Sequence, residues 1–222
     1  MTGLLSPLWL SAQVAAAATL LVLPPAFLLG LALARRSFPG KSAVETLASL
    51  PLVLPPTAVG YLLLRLLARD GPLGPRALGF DLDLLLTWKG AAVASAVMAF
   101  PLVARTARTA FEEVDPRLEA LAASLGLGRL AVLREITFPL ARRGLMAAAV
   151  IGFARALGEF GATVIVAGSI PGRTQTLALA IFNDLQVGRD REALLLVGLT
   201  VILSFAALWT AEALARGRRR AR

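Results

Sequence analysis

Two side chains sit where few proteins place a charge. Arg155 and Glu159 are the only ionisable residues in the long apolar stretch Gly144–Gly172. Their spacing of four puts both on one face of a helix, where they can pair. A lone charge near the centre of a bilayer costs on the order of 2.5–3.5 kcal/mol on insertion scales, so the expected minimum role is a mutually neutralising ion pair. The alternative role is a brace or gate of a solute path. Gly158, Phe160, Gly161 and Thr163 surround the pair, and the glycines permit a close backbone approach or a local helix break. Catalytic chemistry is largely excluded. The chain has no His and no Cys, so a Cys/His zinc site, a thiol nucleophile, a Ser-His-Asp triad and a disulfide are all ruled out. Glu159 lacks a second buried carboxylate with which to form a dyad, which disfavours an intramembrane enzyme. No metal site and no catalytic residue are expected. A phosphate-binding loop is also missing: Gly40-Lys41-Ser42 is the nearest approach to one, but the position five before Gly40 is Arg35 rather than glycine.

The elements that must hold these residues are membrane helices. Of 222 residues, 57% are hydrophobic and only 17% charged, against ~25% charged in typical soluble domains. Met1–Ala34 carries no charge at all. Five apolar segments approach or exceed the ~20 residues that a bilayer requires. They are Pro7–Ala34, Thr46–Leu64, Leu84–Ala104, Gly144–Gly172 and Ala193–Ala211. The expected fold is all-α, a polytopic helical bundle with five to six transmembrane helices. It forms a single domain over residues 1–222, with a kink expected at Pro24-Pro25. The first span has no charged residues ahead of it and is not expected to be a cleaved signal. Thr174–Gln186 is too polar to cross and reads as a short helix or re-entrant piece on the outer side.

The net charge of +9 is explained by topology. The connection after the first span, the long connection after the third and the C-terminal tail together hold fifteen Lys and Arg residues, and the opposite side holds five. The positive-inside rule then places the N-terminus outside and the C-terminus in the cytoplasm. It also removes the need to invoke nucleic acid as a partner; the bilayer is the expected one.

The cytoplasmic connection, about residues 109–141, has its own pattern. Asp115-Pro116 reads as an N-cap followed by proline at the first helical position. Leu118, Leu121, Ala122 and Leu125 follow at helical spacing, and Gly126 and Gly128 end the helix. Such a short amphipathic helix suits either a partner's groove or the membrane surface. The stretch Glu119-Ala120-Leu121-Ala122-Ala123-Ser124-Leu125-Gly126, nine residues and then Ile136-Thr137-Phe138-Pro139 resembles the EAA loop of binding-protein-dependent ABC importer permeases. The alanine pair is offset by one from the glutamate, and Phe138 stands where leucine is usual. Leu50–Tyr61 and Arg155–Thr163 further resemble the molybdate branch of that family, with looser likeness to sulfate and tungstate permeases.

The resemblance implies a type I importer fold in the cell (inner) membrane. It also implies a homodimer of permeases, separate ATPase subunits that carry ATP and magnesium and dock on the loop, and an extracellular or periplasmic oxyanion-binding protein. It assigns ATPase coupling to Glu119, Leu121, Ala122, Leu125, Gly126, Ile136 and Pro139. Arg155, Gly158, Glu159, Phe160, Gly161 and Thr163 would then line or brace the pathway, with no cofactor bound by this chain. An ATP-independent secondary transporter is the competing class, and it would favour inverted repeats. None is evident between the halves.

Overall fold

The computed structural model describes residues 2–216, and all regular structure in that range is helical. The elements are α1 (Thr2–Arg35), α2 (Lys41–Val53), α3 (Pro56–Leu67), α4 (Pro75–Leu78), α5 (Trp88–Glu112), α6 (Pro116–Ser124), α7 (Arg129–Val132), a π-helical turn (Leu133–Thr137), α8 (Phe138–Leu157), α9 (Gly161–Ala167), α10 (Leu177–Gln186) and α11 (Asp190–Arg216). Four of the helical runs are long and apolar enough to cross a membrane, or five when the bent pair α2–α3 counts as one span.

The bundle is built on α1, α5 and α8. Their shared seam is made of small side chains: Ala15, Ala18 and Ala26 of α1, Ala96, Ala99 and Ala104 of α5, and Ala148 and Ala156 of α8. In a bilayer, where apolar burial alone gives little net drive, small residues allow the helix axes to approach and dispersion to hold them. The approach is close. A Cβ on Gly152 would lie 2.7 Å from Cγ2 of Val103, and one on Gly30 would lie 2.9 Å from the backbone nitrogen of Arg108. The outward side of α11 is a run of exposed apolar residues that includes Leu194, Ile202, Phe205 and Trp209, as expected of a surface facing hydrocarbon.

Three spans differ from the sequence expectation. Helix α1 continues through Pro24-Pro25, where the kink is expected, with Val22 and Ala26 buried on either side of the prolines. Thr46–Leu64, expected as one span, is instead two helices meeting at 109°. Leu54 and Pro55 are extended there (ψ 142° and 134°), because each precedes a proline that disfavours the α region. Helix α5 starts at Trp88 rather than Leu84, after a turn in which Asp83 and Leu86 take positive φ (49° and 58°). It then continues two turns past Ala104 with Ala107, Ala110 and Phe111 buried. The fourth span begins at Arg129, since α7, the π-turn and α8 form one 29-residue run. The irregular part of the connection at 109–141 is correspondingly short. The expected Ala193–Ala211 span lies inside α11, and Leu177–Gln186 is a short helix as anticipated. The tail cations Arg218, Arg219, Arg220 and Arg222 lie outside the described residues.

Candidate functional site: the loop helix and the broken fourth span

At one end of the bundle α6 stands out from the helices. Asp115 is its N-cap: the carboxylate accepts from the backbone N–H of Arg117 at 2.9 Å, and Pro116 opens the helix. Gly126 ends it at φ +90°, a left-handed conformation that glycine adopts without a Cβ penalty. The leucines point away from the bundle. Leu118, Leu121 and Leu125 are 45%, 60% and 75% exposed, and Leu130 on α7 is 79% exposed, while Ala122 faces inward at 6%. These four large apolar side chains are left out of the described core, which makes them a candidate interaction surface. Of the remaining motif residues, Ile136 lies half-buried in the π-turn, and Pro139 is exposed in the first turn of α8.

Glu119 behaves differently from its neighbours. It turns inward, and its Oε1 accepts from Arg35 Nη2 at 2.7 Å, Arg35 Nε at 3.1 Å and Thr137 Oγ1 at 2.7 Å. Arg35 also donates through Nη2 to the carbonyl of Val114 at 3.1 Å. Thr137 is fully buried at the end of the π-turn. One carboxylate thus joins the last residue of α1, helix α6 and the root of α8. Phe138 adds an edge-on contact with Phe111 of α5, ring centroids 5.5 Å apart. Beside this knot, Arg108 of α5 bridges Glu45 of α2 and Glu112, both at 2.6 Å. Sequence reading missed Arg35, Thr137 and Arg108 as site members. The two arginines register only as topology charges, and Thr137 only as an unspecified position within the Ile-Thr-Phe-Pro segment.

The second region is the interruption between α8 and α9. Arg155 Nη1 and Glu159 Oε2 are 2.8 Å apart, with side chains 28% and 2% exposed. The expected pairing is present, but the two residues do not share one helix: α8 ends at Leu157, and Glu159 lies in the break. Its other oxygen, Oε1, accepts from the backbone N–H of Ala162 at 2.8 Å. Each carboxylate oxygen therefore closes one side of the gap, the cation on α8 and an orphan donor in the first turn of α9. Thr163 is buried and returns a hydrogen bond from Oγ1 to the Phe160 carbonyl at 2.8 Å. Phe160 itself leans on Phe182 of α10, centroids 5.0 Å apart.

The two glycines here have different duties. A Cβ on Gly161 would fall 2.7 Å from Cβ of Pro56, whereas one on Gly158 would meet nothing closer than 3.9 Å. Close approach explains Gly161; Gly158 serves the end of the helix. Packing of Ala162 and Val166 against Val59 of α3 and Ala94 and Met98 of α5 sets this break beside the middle of α5. Among the described residues no group of three or more potential metal ligands occurs.

Comparison with known proteins gives a consistent picture. Residues 26–220 match the family described as "Binding-protein-dependent transport system inner membrane component". The chain is 42% identical over 214 residues to the molybdenum transport system permease protein ModB of Haemophilus influenzae, covering 96% of this chain and 93% of that one. It is also 42% identical to the protein described as a putative molybdenum transport system permease in Bacillus subtilis, with 92% and 90% covered. A sulfate transport system permease of Salmonella typhimurium is 38% identical over 69% of this chain and 56% of its own length. Among solved structures, the inward-facing MetNI methionine ABC transporter aligns with a TM-score of 0.63 at 19% identity, covering 96% of this chain and 94% of that one. An amino acid ABC transporter aligns at 0.62 and 17%, covering 98% and 93%. At those identities the structural likeness establishes the fold.

Proposed function

Because the chain belongs to the family of binding-protein-dependent transport system inner membrane components, we propose that it is the permease of a molybdate importer driven by ATP hydrolysis on separate subunits. Two copies enclose the path. Their α6 helices dock into two ATPase subunits, which hold the ATP and magnesium, and a binding protein outside the membrane delivers the oxyanion. In this reading the N-terminus faces outward and α6 faces the cytoplasm.

The observation that carries the docking role is the exposed leucine face of α6. An amphipathic helix whose apolar side is turned away from its own bundle suits a groove on a partner. The cargo assignment draws on the full-length likeness to molybdenum permeases; tungstate and sulfate, also tetrahedral dianions, are the alternatives. Arg155, Glu159 and the residues about the break brace the path at mid-membrane. Arg155 is paired with Glu159 within the chain, so among the described residues at the break no unpaired cation stands ready to hold a dianion, which suits conduction, since binding must be weak enough for release.

The test is affinity capture of the chain from membranes of its own organism, followed by radiolabelled molybdate uptake. An ATPase subunit should co-purify, and Leu121→Asp should abolish both its capture and uptake. Excess sulfate should compete poorly. Capture without any ATPase, or full uptake by Leu121→Asp, overturns the importer reading; stronger competition by sulfate reassigns the cargo.

A further inference from the structure

We propose that the trench between α2 and the α1–α5 pair is a binding site for an anionic phospholipid. An acyl chain lies along the apolar length of the trench, and the phosphate sits beside Arg105 at its charged end. In the orientation proposed for the chain, that end belongs to the cytoplasmic leaflet. The site is separate from the broken fourth span and from the leucine face of α6.

Two adjoining hollows run along the same three helices. The first, of about 570 Å³, is walled by apolar residues alone, among them Leu21 and Pro25 of α1, Leu47 and Pro51 of α2, and Val97 and Phe100 of α5. The second, of about 360 Å³, continues toward the C-terminal ends of α1 and α5, past Leu29 and Leu33. It adds the polar groups of Ser42, Glu45 and Ser49 on α2 and of Arg105 and Arg108 on α5. Ala48 lines both hollows and marks their junction. The trench is therefore apolar along its inner length and charged at its mouth.

Its length matches one leaflet. Leu21 to Leu33 and Val93 to Arg105 are each twelve residues apart, which is about 18 Å of helix. One leaflet contributes about 15 Å, half of the ~30 Å hydrocarbon core. A phospholipid standing in its leaflet has the same length and the same gradient of polarity.

Charge at the mouth selects an anionic headgroup. Glu45 is neutralised by Arg108, which also pairs with Glu112. Arg105 is exposed and donates to the neutral Ser49 hydroxyl at 2.9 Å; among the described residues no carboxylate forms an ion pair with it. Lys41 adds a further cation at the same end of α2. Basic pockets between membrane helices on the cytoplasmic side suit anionic headgroups. An oxyanion, by contrast, would lose its hydration along the apolar length without meeting a donor. Helix α2 has no buried residue, and Leu47 is 67% exposed. An unfilled gap forfeits dispersion contacts, whereas a hydrocarbon chain there supplies α2 with an apolar partner.

The test uses the full-length chain, with the subunits that co-purify with it, in vesicles. It needs neither molybdate nor ATP, so its failure leaves the importer reading standing. The vesicles contain phosphatidylglycerol or phosphatidylcholine with a photoreactive diazirine on one acyl chain, and adducts are mapped by mass spectrometry. Adducts should fall on the trench walls around Leu47 and Val97. Phosphatidylglycerol should give at least about fivefold more of them than phosphatidylcholine, the effect of one cation near the headgroup. Arg105→Gln should bring the two lipids to parity. Ala48→Trp, which sets an indole where the hollows join, should remove the trench adducts while those on the outward face of α11 remain. Adducts confined to outward faces such as that of α11 overturn the proposal and indicate that protein, such as a second copy of the chain, covers the trench. Equal trench labelling by the two lipids, a preference that survives Arg105→Gln, or trench adducts that persist in Ala48→Trp each overturn it as well.

Discussion

Glu159 shows how one buried carboxylate can stabilise a discontinuity. It balances Arg155 and also satisfies an N–H that the break would leave unpaired. The two members of the pair are consequently unequal. Glu159→Ala leaves a cation and the Ala162 N–H without partners in a region 2% exposed on the glutamate side, at a cost of about 3 kcal/mol or more. Arg155→Ala leaves Glu159 its bond to Ala162 and removes a side chain with partial access to solvent. The detergent-solubilised chain should therefore melt at a lower temperature with Glu159→Ala than with Arg155→Ala, as differential scanning fluorimetry would show. Equal losses would mean that the ion pair alone matters. The pairing was legible from the spacing of four in an otherwise uncharged stretch. The bond to Ala162 was not, because it depends on where α8 stops, and no residue type announces that position.

Helices α3 and α9 meet through backbone. A Cβ on Gly60 would fall 2.9 Å from both Cα and O of Ala162, and one on Gly161 would strike Pro56. Gly60→Ala and Gly161→Ala should each destabilise the chain by about 1–3 kcal/mol through overpacking and lower uptake, whereas Gly158→Ala should be near neutral. Thermal melts of the three variants check this, and a large loss for Gly158→Ala alone would contradict it. Elements of this kind mark the limit of sequence reading. The apolar lengths overlap every helical run long and apolar enough to cross a membrane, and Asp115-Pro116 and Gly126 bounded α6 correctly, because caps and hydrophobic length are local signals. The 109° bend between α2 and α3 has a local signal too, in Pro55-Pro56, but its angle follows from the glycine contacts with α9. Those lie a hundred residues away in sequence.

The whole chain reads as a frame with two appendages. The alanine-lined core of α1, α5 and α8 is the frame; α6 projects from one end, and the bent pair α2–α3 lies along one side. Helix α2 has no buried residue and borders an apolar groove of about 570 Å³ against α1 and α5. Its polar ties to α5 are Arg108 to Glu45 and Arg105 to the Ser49 hydroxyl. The topology is open to direct measurement. Single cysteines placed in the cysteine-free chain at Leu121 and at Leu73 should label from opposite sides of the membrane with an impermeant maleimide, Leu121 from the cytoplasm. Labelling of both from one side contradicts the arrangement. The fold class was legible because composition excludes nearly every other class. The knot at Glu119 was hidden, since it joins positions 84 residues apart and no periodicity connects them.

The π-turn at Leu133–Thr137 has a geometric consequence of its own. It inserts about one residue into a helix that is otherwise a single rod from Arg129 to Leu157. Each residue of an α-helix advances the azimuth by about 100°. Deleting one residue there would restore a regular helix and rotate everything upstream by that angle relative to the membrane portion. The leucines of α6 would swing to a new bearing, and Thr137 would lose its line to Glu119. That single extra residue sets the angular offset between the exposed leucines of α6 and the axis of α8.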